Sequence, residues 1–155
     1  MKGHLERRID LRSGNDHRIH NIHHRGTKDT EVPSISITYD ILGAAIEVHR
    51  RLGPGLLESA YQRCLCEELR ARGVQYIDQV ALPLKYRTVS LECGYRLDLI
   101  VEGCVIVEVK AVSKVLPIHR AQVLTYLKLT GLRLGLLINF NVETLRSGIY
   151  RIVNG

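Results

Sequence analysis

The residues whose types and spacing could do chemistry are Asp98, Glu108 ten positions on and Lys110 two beyond that, all within Tyr95–Lys110, YRLDLIVEGCVIVEVK. Two carboxylates held together form a hard-oxygen site that suits Mg²⁺ or Mn²⁺, ions that keep several waters and bridge phosphate oxygens. Such an ion polarises a phosphodiester and lowers the pKa of a bound water, giving hydrolysis its nucleophile. A lysine two residues past one ligand can orient that water or stabilise charge developing on the phosphate.

Whether the carboxylates meet depends on the elements that carry them. Two short apolar runs flank Glu102-Gly103 and read as an antiparallel hairpin. Side chains alternate in a strand, so Glu108 and Lys110 share one face while Val107 and Val109 take the other. A two-residue turn would set Asp98 opposite Val107 and separate the carboxylates. A three-residue connection through Cys104 pairs Val101 with Val105, Leu99 with Val107, Leu97 with Val109 and Asp98 with Glu108. Only that register keeps one face wholly aliphatic, and a one-residue slip would scramble it. A pair of strands with one solvated face is the plainer alternative for the same charges.

The remaining elements follow from periodicity and punctuation. A helix is expected from Thr38, with Ile41, Leu42, Ala45, Ile46, Val48 and Leu52 at helical spacings, stopped by Gly53-Pro54-Gly55. A second runs from about Leu57 to Arg72, ending at Gly73. Glu58 falls in its first turn, where the helix dipole alone would favour a carboxylate. Val80, Leu82, Leu84 and Tyr86 alternate as a strand that Pro83 marks as an edge or an end, and Val89–Glu92 extends it. Pro117 opens a third helix that Gly131 closes. Its apolar side is read as Ile118, Ala121, Leu124 and Leu127, with Gln122 and Tyr126, four apart, on a neighbouring face. Leu134–Phe140 is almost continuously apolar and therefore expected to be central, and Ile149–Val153 closes the chain. The fold class is α/β with a mixed sheet.

Composition bounds the rest. At 155 residues, with a quarter of them charged, the chain suits one soluble domain. A formal charge of +6 favours a polyanionic partner. No apolar run reaches the roughly 18 residues of a membrane span, so no membrane partner is expected and a cytoplasmic location is the default. Residues 1–34 hold five of the seven histidines and few apolar residues, and read as a disordered basic tail. His17, His20, His23 and His24 could bind a metal if that tail became helical, although a solvated tail explains them more simply. Cys64, Cys66, Cys93 and Cys104 lack the spacing of a zinc site and read as small buried hydrophobes.

Asp98 with Glu108-Val109-Lys110 has the D…E-x-K form of the PD-(D/E)XK nuclease superfamily. Gly55-Leu-Leu-Glu58-Ser-Ala-Tyr61 resembles the signature of the GxxExxY proteins, a family assigned to that superfamily. Gln122-Val-Leu-Thr-Tyr126 is similar to the Q-x-x-x-Y element of its exonuclease-like branch, and Gly135–Asn141, GLLINFN, also resembles the family. The resemblance covers about Thr38 to Gly155. It implies a restriction-endonuclease-like core, a mixed central β-sheet flanked by α-helices, over residues 35–155. It further implies Asp98, Glu108 and the Val109 carbonyl as metal ligands, Lys110 as the catalytic lysine, Glu58 as an acidic residue from the preceding helix, and Gln122 and Tyr126 as an accessory pair. The superfamily's proline before the aspartate is replaced here by Leu97.

The expected function is a Mg²⁺- or Mn²⁺-dependent nuclease acting on DNA, with RNA rather than DNA as substrate a further reading. A catalytically silent nucleic-acid-binding or accessory module is the alternative. Arg50, Arg51, Lys114 and Arg120 lie near the motif-bearing segments and are candidates for phosphate contacts, as solvated helix faces would also explain. The small size suggests a homodimer or a partner protein that supplies specificity.

Overall fold

The computed structural model describes residues 35–92 and 95–155. The histidine-rich tail and Cys93 lie outside the described residues. Helix α1 (Ile35–Leu52) turns Ile41, Ala44, Ala45, Val48 and His49 inward. It starts three residues ahead of the expected Thr38. Gly53 ends it with φ +65°, its N–H donating to the His49 carbonyl at 2.8 Å. Helix α2 (Glu58–Ala71) buries Tyr61, Leu65 and Leu69, and Gly73 follows it at φ +70°. Ile46 and Leu52, assigned to the apolar stripe of α1, are solvent-exposed instead, as is Leu57, the expected first residue of the second helix.

Five strands form the main sheet in the order β1-β4-β5-β6-β7: β1 (Tyr76–Ala81), β4 (Arg96–Val101), β5 (Val105–Lys110), β6 (Leu134–Asn139) and β7 (Ile149–Val153). Only β5 and β6 run parallel, joined by the crossover helix α3 (Pro117–Thr130), so the sheet is mixed. A separate two-stranded hairpin, β2 (Leu84–Tyr86) and β3 (Val89–Leu91), projects between β1 and β4. The single strand expected from Val80 to Glu92 is thus the end of β1 followed by β2 and β3, with Pro83 between β1 and β2. A proline that can donate no ladder hydrogen bond sits at the break.

Each sheet face has its own core. Helices α1 and α2 close over Leu99, Val101, Val105, Val107, Val109, Leu136 and Ile138. Helix α3 closes over Ile100, Ile106 and Leu137. Every residue of β6 is buried, as its almost continuously apolar run predicts. Two side-chain assignments change. Helix α3 packs through Val123, Tyr126, Leu127 and Leu129, while Ile118 and Ala121 face solvent. Leu97 joins the α3-side core rather than sharing a face with Leu99 and Val101. The second change originates at Asp98, where side chains replace the β4–β5 ladder. Among the described residues, no helix is long and apolar enough to cross a membrane.

Candidate active site

The β4–β5 connection is the three-residue one. Val101 pairs with Val105, Ile100 with Ile106 and Leu99 with Val107. Glu102 and Gly103 take φ +50° and +66°, and the Cys104 N–H donates to the Val101 carbonyl at 3.0 Å. Positive φ is uncommon for a glutamate. Glu102 is held there because its N–H donates to the Gln75 carbonyl while its carboxylate accepts the Gln75 N–H, at 2.8 and 2.9 Å.

Beyond Leu99 and Val107 the backbone ladder gives way to side chains. The Asp98 N–H donates to Glu108 Oε1 at 3.0 Å, and the Val109 N–H donates to Asp98 Oδ2 at 2.8 Å. Each carboxylate therefore caps the other strand, and the strands splay around the pair. On the opposite side, the β1–β4 register runs through Asp78↔Leu99 and Val80↔Leu97 and passes over Gln79, whose φ is +51°. The alternation of β1 and β4 resets at Gln79 and Asp98: Tyr76 and Leu99 pack under α1 and α2, whereas Val80 and Leu97 pack under α3. The expected aliphatic face, which assumed uninterrupted strands, could not contain Leu97 for this reason.

Glu108 is 3% exposed and Asp98 is half-buried. Burial, then the Asp98 charge, pushes the Glu108 carboxyl up to about 8. Burial also raises Asp98, against hydrogen bonds from the Val109 N–H, Gln79 and Glu108 and the charge of Lys110. At neutral pH the pair therefore retains a proton. Glu58, at the first position of α2, adds to the negative field at Glu108.

Lys110 faces the same side of β5 as Glu108. Its Nζ donates to Gln122 Oε1 at 3.5 Å, and Gln122 Nε2 donates to the Tyr126 hydroxyl at 2.8 Å. The accessory pair is thus one polar chain ending on the lysine, and α3 turns it toward the sheet. That orientation is why the apolar residues around it could not predict the packed face.

Two glutamines complete the site without having been singled out. Gln62 Nε2 donates to the Asp98 carbonyl at 3.4 Å, and Gln79 donates to the Asp98 carboxylate. Gln62 follows Glu58 by four residues, so the helical period that puts Glu58 at the site also puts Gln62 there. Nothing in the sequence of β1 marks Gln79.

Other motif residues hold the scaffold. Tyr61 is fully buried and stacks on Phe140 at 4.7 Å. Its hydroxyl donates to the Gly53 carbonyl at 2.6 Å and accepts the Leu56 N–H at 3.1 Å, fixing the loop that leads into Glu58. Buried Asn139 accepts the Val112 N–H and donates to the Val112 carbonyl, at 3.0 and 2.9 Å. It pins the chain just after Lys110. The phosphate-contact candidates have partners of their own. Arg50 and Arg51 bind Glu47, whose carboxyl they hold down at about 2, and Arg120 lies over the Tyr150 ring at 4.3 Å. Lys114 is exposed in the loop before α3. Cys64, Cys66 and Cys104 are free and half-buried rather than buried.

The donors fit a hard divalent cation. Among the described residues no three His, Cys, Asp or Glu gather into a metal cluster, so Asp98 and Glu108 are the side-chain ligands available. Mg²⁺ is commonly held by one or two carboxylates with waters and substrate phosphate. The Val109 N–H points toward β4, and strand geometry directs its carbonyl to the same side, where it could serve as a third oxygen.

A mixed five-stranded sheet flanked by helices, with acidic residues at the splay of two antiparallel strands, defines the restriction-endonuclease-like class of α/β proteins. A family model described as the PD-(D/E)XK nuclease superfamily matches residues 35–152, and the chain belongs to that superfamily. No curated protein and no solved structure matches the chain.

Proposed function

We propose that the protein is a metal-dependent nuclease that hydrolyses DNA phosphodiesters, and that within its superfamily it belongs with the GxxExxY proteins. The observation that carries this reading is the convergence of Asp98, Glu108 and Lys110 at the splay of β4 and β5, with Lys110 joined through Gln122 to Tyr126. A surface hairpin would have no need of three ionisable groups facing a packed helix.

Asp98 and Glu108, with the Val109 carbonyl, would hold Mg²⁺ or Mn²⁺. When bound, the ion supplies Lewis-acid polarisation of the phosphodiester and acidifies water at the site. Lys110 would stabilise charge developing on the phosphate or orient the attacking water. Gln122 fixes that ammonium and Tyr126 fixes Gln122. Glu58 adds negative field that favours a cation, and Gln62 and Gln79 keep Asp98 in place. Sequence specificity would come from a second copy or a partner protein.

The test is incubation of the purified protein with single- and double-stranded DNA and RNA, in Mg²⁺, Mn²⁺ or EDTA. Wild-type protein should cleave DNA only with metal, and Asp98→Ala and Lys110→Ala should lose about 10²–10³-fold or more. Absence of metal-dependent cleavage of every substrate would replace this reading with a catalytically silent binding module.

A further inference from the structure

The β2–β3 hairpin has a surface that the site as described does not use. Its two strands pair Leu84 with Leu91, Lys85 with Ser90 and Tyr86 with Val89. Pairing and alternation put Leu84, Tyr86, Val89 and Leu91 on one face and Lys85 with Ser90 on the other. Leu84 alone of the four is half-buried; Tyr86 is 64% and Val89 51% exposed. Two strands this short are marginal on their own, yet the apolar face is open to solvent. Arg87, at the tip with φ +53°, stacks its guanidinium over the Tyr86 ring at 5.7 Å.

The hairpin grows from the site end of the sheet. Its root is closed by the Leu82 N–H on the Tyr95 carbonyl at 2.8 Å, three residues from Asp98. Leu82 is buried in the α3-side core, which anchors that root. Tyr95 is 47% exposed. From the tip to the carboxylates the chain thus exposes Tyr86, Arg87, Tyr95 and Arg96, with Lys85 on the hairpin's other face and Glu92 as the opposing charge. Exposed rings alternating with cations are how proteins hold an unpaired strand, the bases stacking on the rings and the phosphates meeting the cations. Arg guanidinium planes stack bases as well.

We infer that the β2–β3 hairpin is a nucleic-acid-holding arm that stacks an unpaired base on Tyr86 and leads the strand past Tyr95 to Asp98 and Glu108. The inference rests on the nuclease reading for its ligand but not for its test, because binding is read without turnover. The measurement is fluorescence anisotropy of a labelled single-stranded oligonucleotide and of its duplex, in EDTA, across a salt series. Wild type should bind the single strand more tightly. Tyr86→Ala should raise Kd about tenfold, and Tyr86→Trp should restore it. Arg87→Asn should lower the salt slope by about 0.7, asparagine being chosen because it tolerates positive φ. Arg70→Ala, which removes a cation from the exposed face of α2, should change neither. Hairpin variants that bind as wild type does would overturn the arm, as would sedimentation showing that Tyr86 instead sits in a contact between two copies. Binding lost in the hairpin variants while wild type fails to cleave anything would keep the arm and retire the nuclease.

Discussion

Glu108 holds a proton that an ordinary glutamate would have released, and this has a measurable consequence. Its carboxyl is raised to about 8 in the folded protein, chiefly by burial. A group raised on folding contributes stability fully present below its unfolded value and lost as pH rises through the folded one. The metal-free protein should therefore become less stable from about pH 4.5 to about pH 8, with a slope of up to about 1.4 kcal/mol per unit. Urea denaturation across that range measures it, and Glu108→Gln should flatten the slope; an unchanged slope in the variant would assign the effect elsewhere. Gln122 gives a second residue-scale expectation. Gln122→Ala should weaken kcat more than KM, since it releases Lys110 without touching Asp98 or Glu108. That Asp98 and Glu108 meet was legible in the sequence, because strand alternation and the aliphatic Leu99, Val101, Val105 and Val107 determine a register. Gln79 was not, because its role depends on a positive φ that its neighbours do not announce.

At the scale of elements, Tyr61 and Gly135 show how packing positions the site. Tyr61→Phe removes a hydroxyl that serves both the Gly53 carbonyl and the Leu56 N–H. It should cost about 1–3 kcal/mol, by the usual penalty for unsatisfied buried groups, and should loosen the loop before Glu58. Thermal unfolding checks it. A Cβ on Gly135 would meet Val123 Cγ1 at 2.6 Å, so Gly135→Ala must push α3 off β6. That should cost about 1–3 kcal/mol and also impair cleavage, since Gln122 precedes Val123. Stability lost with full activity kept would show that α3 does not position Lys110. The helices and the central strand were readable from periodicity, but the packed face of α3 was not. Gln122 and Tyr126 turn inward to serve the site, and Ile118 is left outside at 67% exposure.

For the whole molecule, the sheet brings the two acidic strands side by side while α2 and α3 close on either face. An ion bound between Asp98 and Glu108 would tie the splayed strands together and should stabilise the fold by about 2.7 kcal/mol at a hundred times its Kd. The rise in Tm with Mn²⁺ should be larger at pH 8 than at pH 6, where a proton competes for Glu108. The fold class was legible from the order of helices and strands. The reset of β1 and β4 at Gln79 and Asp98 was not, because it arises from carboxylates replacing a backbone ladder. Calorimetric titration of Mn²⁺ into the protein at pH 7, beside Asp98→Asn and Glu108→Gln, tests the central claim most directly. Saturable binding with proton release in wild type, abolished in both variants, is the result expected. No binding, or binding that both variants retain, would contradict a metal site at the β4–β5 splay.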